Sequence, residues 1–157
     1  MRTQSLQSLG FLAVLTTGLL GFVSACSTLT GPPTNQQLLV NTAIEYATIK
    51  AVEHAKDPKA MAAQARGVIA DVESLLADPS SVSLSLDQID AKVRDMIVAK
   101  IPDVADRLLA DTVRQAAYND LKARIGVTVS TGLTAGDLAA LKVIVGDISN
   151  GLVLSGY

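Results

Sequence analysis

Residues 134–154 read TAGDLAALKVIVGDISNGLVL, and within them Leu138, Leu141, Val145, Ile148 and Leu152 recur at intervals of three and four. That spacing puts one apolar side chain per turn on a single face of a 3.6-residue helix. Thr134 stands where an N-cap oxygen meets the first unpaired N–H groups, with Asp137 three residues on. Gly146 and Gly151 each cost about 1 kcal/mol relative to alanine inside a helix. The segment must therefore draw its stability from packing, and a helix of this kind needs partners.

The sequence upstream supplies them. Thr34-Asn35-Gln36-Gln37 has the form of a capping box and predicts a helix from Asn35 to Lys56. Val40, Ile44, Ala47, Ala51 and Ala55 form its stripe, with Leu39, Ala43 and Tyr46 beside it. Asp57-Pro58 closes that helix and opens the next, since proline suits a first helical position and aspartate can cap. Ala62, Ala65, Ile69, Val72 and Leu76 then repeat until Asp78-Pro79-Ser80-Ser81. Ser85-Leu86-Asp87-Gln88 is a second capping box, followed by Leu86, Ile89, Val93 and Met96, with Ile97, Val98 and Ile101 widening the apolar edge. After Ile101-Pro102-Asp103, a helix to about Ile125 places Ala105, Leu109, Val113, Ala116, Ala117, Leu121 and Ile125 on one side. Asp103 and Asp106 in its first turn and Lys122 and Arg124 in its last match the helix dipole. Residues 126–132, GVTVSTG, read as a loop. The expectation is an all-α fold, a compact bundle of about five amphipathic helices over residues 35–157 with antiparallel neighbours. Prolines 58, 79 and 102 break any long heptad run.

The first 34 residues have another character. Arg2 is the only charge before Cys26, and Leu9 to Val23 is an apolar run broken by Thr16, Thr17 and three glycines. Charge, apolar run and small residues together mark a removable secretory signal. Val23-Ser24-Ala25-Cys26 resembles the lipobox of bacterial lipoproteins: an aliphatic residue, two small residues, then cysteine. That resemblance implies a diacylglyceryl group on the Cys26 sulfur, cleavage between Ala25 and Cys26, and acylation of the new amine. It divides the chain into a signal peptide, 1–25, a lipidated tether, 26–34, and the helical domain, 35–157. Two other readings stay open. A membrane anchor would need more than the ~22 Å that a 15-residue helix spans, against a ~30 Å hydrocarbon core. Ordinary secretory cleavage after Ala25 would leave Cys26 a free thiol. By the same resemblance, Ser27 after the cysteine implies the outer membrane, facing the periplasm. Residues 27–34, STLTGPPT, form a spacer of at most ~25 Å.

The composition narrows the chemistry. The chain has 13 basic and 15 acidic residues; losing Arg2 leaves 12 against 15, too even a mixture for a nucleic-acid face. One cysteine and one histidine, His54, offer no disulfide and no usual zinc set. No nucleophile–base pair, metal motif or phosphate-cradling loop stands out, so no catalytic residue, metal ligand or cofactor is assigned. His54 reads as a surface side chain at a helix end, and Glu45, Glu53, Asp71 and Glu73 as solvated faces. Asp90–Arg94 and Asp120–Arg124 are spaced as i,i+4 pairs. AIEYATIK at Ala43 to Lys50, DRLLAD at Asp106 to Asp111 and LKARIG at Leu121 to Gly126 look similar to small lipoproteins of tailed phages and prophages. That likeness implies expression in an infected or lysogenic cell, with superinfection exclusion or assistance to lysis as roles.

The functional expectation is a non-catalytic binding or adaptor module, held to a membrane by the lipid on Cys26, with an envelope protein as partner. The alternatives are a phage-derived envelope lipoprotein and a carrier of an apolar ligand. For the anchor, Cys26→Ser is expected to abolish palmitate labelling and to leave uncut precursor in labelled cells. Normal processing of that variant would refute lipidation.

Overall fold

A computed structural model describes residues 35–125 and 132–157. Arg2, the lipobox through Cys26, the tether, the Thr34 cap and most of the 126–132 loop lie outside the described residues. Among the described residues there are five α-helices: α1 (Asn35–Glu53), α2 (Pro58–Ala77), α3 (Leu86–Lys100), α4 (Val104–Ile125) and α5 (Ala135–Leu154). A short 3₁₀ helix, Pro79–Ser83, joins α2 to α3. The domain is all-α, as the periodicity requires.

The boundaries follow from local chemistry. Ala60 N–H donates to Asp57 Oδ1 at 3.0 Å, with Pro58 at the first helical position of α2. At α3, Gln88 N–H donates to Ser85 Oγ (3.2 Å) while Ser85 N–H donates to Gln88 Oε1 (2.8 Å). Thr134 and Asp137 make the same reciprocal pair at α5. Each box satisfies two backbone donors that the helix itself cannot. At α4 the cap is Asp103, whose Oδ1 accepts from Ala105 N–H (2.8 Å) and Asp106 N–H (3.2 Å). Those two hydrogen bonds hold the Asp103 carboxyl below its ordinary pKa. The first helix stops at Glu53 rather than Lys56, and the chain turns there onto α4. Lys56 N–H donates to Asp106 Oδ1 at 3.0 Å, and Asp106 is buried at this corner.

The helices form a closed ring. α1 packs against α4 and α5, α3 bridges α4 and α2, and α2 closes on α5. Arg124 bonds Asn41 at one end of the α1–α4 pair and Asp106 bonds Lys56 at the other, so the two run antiparallel. Asp90 with Arg114 and Asp87 with Tyr118 fix α3 antiparallel to α4 as well. The largest fully buried apolar side chains are Met61, Leu86, Ile101, Leu152 and Val52. Tyr46, expected at the core edge, is 59% exposed, and its ring lies 5.5 Å from Lys50 Nζ. Val98 and Ala105 also face outward.

The α1–α5 seam depends on one glycine. A Cβ on Gly151 would stand 2.7 Å from Thr48 Cβ and 2.8 Å from Glu45 O. Thr48 is buried there, its hydroxyl donating to Ile44 O at 2.9 Å. Gly146, five residues earlier, has nothing within 4 Å of a built Cβ. Gly151→Ala is therefore expected to destabilise the fold by about 1–3 kcal/mol, overpacking outweighing the gain in helix propensity. Gly146→Ala is expected to stabilise it by up to about 1 kcal/mol. Urea unfolding of the two variants beside the parent measures both signs.

Candidate functional site

A ring of five helices leaves a wider centre than a four-helix bundle, and this chain has little with which to fill it. Tryptophan is absent, and both phenylalanines, Phe11 and Phe22, stand before Cys26. The centre is lined instead by side chains such as Val68, Val93, Ala110, Val113, Ile144 and Ile148. They enclose a partly open cavity of about 120 Å³. Its lining runs from Met61 to Val72 on α2, from Ala110 to Leu121 on α4 and from Leu141 to Leu152 on α5. At 1.5 Å per residue each stretch is roughly 16 Å long, so this internal channel lies lengthwise in the bundle.

Polar groups touch this channel mainly along α3 and α4. Arg114 Nε donates to Asp111 Oδ1 at 2.7 Å and its Nη1 donates to Asp90 Oδ1. Tyr118 donates its hydroxyl hydrogen to Asp87 Oδ1 at 2.5 Å. Burial pulls the Arg114 pKa down, but the hydrogen bonds and charges of Asp111 and Asp90 outweigh it, and the guanidinium is held more firmly protonated than usual. The hydrogen bond to Asp87 likewise raises the Tyr118 phenol. Thr48 also lines the channel, with its hydroxyl already spent on its own helix. An apolar cavity of this size, like an engineered one of about 150 Å³ that stays dry and takes up benzene or xenon, favours hydrocarbon over water.

The chain matches no family model, no curated protein and no solved structure. The site must be read from its own geometry.

The sequence-level site residues, Ala25 and Cys26, lie outside the described residues. His54 sits just past the end of α1 on the surface. Asp90 does not use Arg94, its neighbour by spacing, but reaches across to Arg114 on α4. Asp120 and Arg124 do pair, with Nε 2.7 Å from Oδ2. Glu53 pairs with Lys50 and Asp71 with Lys100. Among the described residues no group of three or more His, Cys, Asp or Glu is placed to hold a metal ion. Nor is any helix there long and apolar enough to cross a membrane.

A second polar cluster was hidden in the periodicity. Asp147 on α5 is buried, and its Oδ2 has no hydrogen-bond partner among the described residues. Burial first, then the charge of Glu45, pushes its pKa up to about 6, with Arg124 opposing. Burial also raises Asp120, again opposed by Arg124. Residue 147 lies one turn from both Ile144 and Gly151, and the closeness of α5 to α1 at that glycine carries it inside. The folded state therefore prefers neutral Asp147, while the unfolded chain ionises it near the ordinary value of 3.8. Between those values the folded state binds more protons, so stability falls as pH rises through that window and stays low above pH 6. Urea midpoints are expected to be higher at pH 5 than at pH 7.5. Asp147→Asn should stabilise the protein at pH 7.5 by about 1–2 kcal/mol and flatten this dependence.

Proposed function

We propose that this chain is a lipid-anchored protein of the cell envelope whose helical domain is a non-catalytic holder of a small apolar ligand. The observation that carries the reading is the hydrocarbon-lined cavity inside the five-helix ring. Packed interiors rarely leave voids larger than a water molecule, so an aliphatic channel in a domain this small marks a place for a guest. The tether at Cys26 fits the same purpose. It supplies location, and two or three acyl chains give stable anchoring at about 0.8 kcal/mol per buried methylene. Ser27 supports the outer membrane, facing the periplasm, as the place.

A second reading, docking to another envelope protein, is favoured by Val104 and Leu108, exposed on successive turns of α4. It explains those side chains and leaves the channel without a purpose, so it ranks below the first.

Binding of benzene tests the holder reading. A ligand held only by the folded state stabilises it by about 2.7 kcal/mol at a hundred times its Kd. The melting temperature is then expected to rise by several degrees with added benzene. Ala110→Leu, which fills the channel, should remove that rise. A melting temperature indifferent to benzene would sink the reading.

A further inference from the structure

Helix α5 carries a second stripe that the core does not use. Ala139, Val143, Gly146, Asn150, Val153 and Leu154 recur at three and four. They lie opposite Leu141, Ile144 and Ile148, which line the cavity. Val143, Val153 and Leu154 are 48%, 68% and 64% exposed. Neither carboxylate of α5 shares this side. Asp137 accepts from Thr134 in the N-terminal cap, and Asp147 is turned inward. The one charge on it is Lys142, whose stem can lie along an aliphatic surface while the ammonium stays in water. Glu45 of α1 stands half-buried at the border, where it accepts from Asn150 Nδ2 at 3.4 Å. The other helices show a different surface. Glu53 on α1, Glu73 on α2, and Asp87 and Asp95 on α3 are exposed, and α4 turns polar after Leu108, with Gln115, Asn119 and Lys122.

Reach decides what covers the stripe. α5 packs beside α1, the helix that begins at Asn35. The spacer between Cys26 and Asn35 extends at most ~25 Å, less than the ~30 Å length of a 20-residue helix such as α5. A bilayer holding a lipid on Cys26 therefore stays within one helix length of the domain. A domain resting on α5 would hold Asn35 about one helix diameter, ~10 Å, above that bilayer, well inside the reach of the spacer. A membrane surface takes aliphatic side chains from one side of a helix, and anionic lipids favour lysine and repel carboxylates. Val104 and Leu108 suit this role less, because α4 runs antiparallel to α1 and they stand at the end far from Asn35.

We propose that the outward side of α5 lies on the bilayer that holds the Cys26 lipid, with Val143, Val153 and Leu154 below the head groups and Lys142 among the phosphates. This rests on the lipid-anchor part of the proposed function and is independent of the cavity. A side this narrow binds lipid weakly by itself, and the tether makes the contact intramolecular. The bundle then lies flat and turns α3 away from the membrane.

Tryptophan fluorescence tests the placement, since the native chain has no tryptophan. The protein is purified from cells that process it and placed in vesicles of equal parts phosphatidylethanolamine and phosphatidylglycerol with brominated acyl chains. Val143→Trp and Val153→Trp report on α5, and Val98→Trp, on an exposed position of α3, is the reference. Bromine quenches only a tryptophan that reaches the hydrocarbon. Quenching at both α5 positions is expected to exceed that at position 98 by about threefold or more. Lys142→Glu should at least halve the α5 signals while helical content is unchanged. Mass spectrometry of the same samples reads the lipid on Cys26. With Cys26 lipidated, equal quenching at all three positions, or none, would overturn the proposal and leave the anchor standing. Probes on α5 that are shielded from water yet unquenched would show a second copy or another protein on this side, and would overturn it too. A bare Cys26 brings down the anchor and the placement together.

Discussion

The fold must close around one axis with side chains that are almost all aliphatic. Five helices surround that axis, and the buried residues that reach inward from them are leucine, isoleucine, valine, alanine and Met61. The domain has no phenylalanine or tryptophan to help fill the centre. Close packing is kept at the seams between neighbouring helices, where small residues let backbones approach, and relaxed in the middle. The channel follows from the composition of the chain together with the number of helices.

Directional contacts then fix what hydrophobic packing leaves free. Asp57, Ser85, Asp103 and Thr134 set where helices begin, each by accepting from backbone N–H groups of a first turn. Asp106 ties the α1–α2 corner to α4, and Arg114 ties α4 to α3. An aliphatic interior is tolerant of register, since one branched side chain substitutes readily for another. A buried carboxylate or guanidinium is not, because losing its partner leaves a charge without compensation. These few polar pins account for a single arrangement of otherwise interchangeable helices.

Much of this was legible in the amino-acid sequence. Helix number, the breaks at Pro58, Pro79 and Pro102, and the caps at Asp57, Ser85 and Thr134 were readable because each depends on residues within four positions of one another. The buried face of α5 was readable for the same reason. What local pattern could not give was anything set by a partner helix. Asp90 has Arg94 at the right spacing yet pairs with Arg114, twenty-four residues away. Asp147 looks like a solvent-side residue until α1 is laid against it. Tyr46 stands beside the apolar stripe of α1 in the sequence, yet its ring lies outside. The channel was the least legible feature, since it belongs to the ring and to no single helix. The proposed lipid attachment at Cys26 has the opposite character: it rests wholly on a local motif.

The close seam at Gly151 has a consequence for how the chain acquires its shape. It joins the first and last helices, and Glu45 and Asn150, which meet across it, are 105 positions apart. Contacts so distant along the chain are slow to form, because the entropy of closing the loop is lost before the contact rewards it. The apolar stripe of α1 is left without its largest neighbour until α5 arrives. A chain halted before them would be an open arc with a greasy inner wall, a target for chaperones and proteases rather than a smaller version of the finished protein.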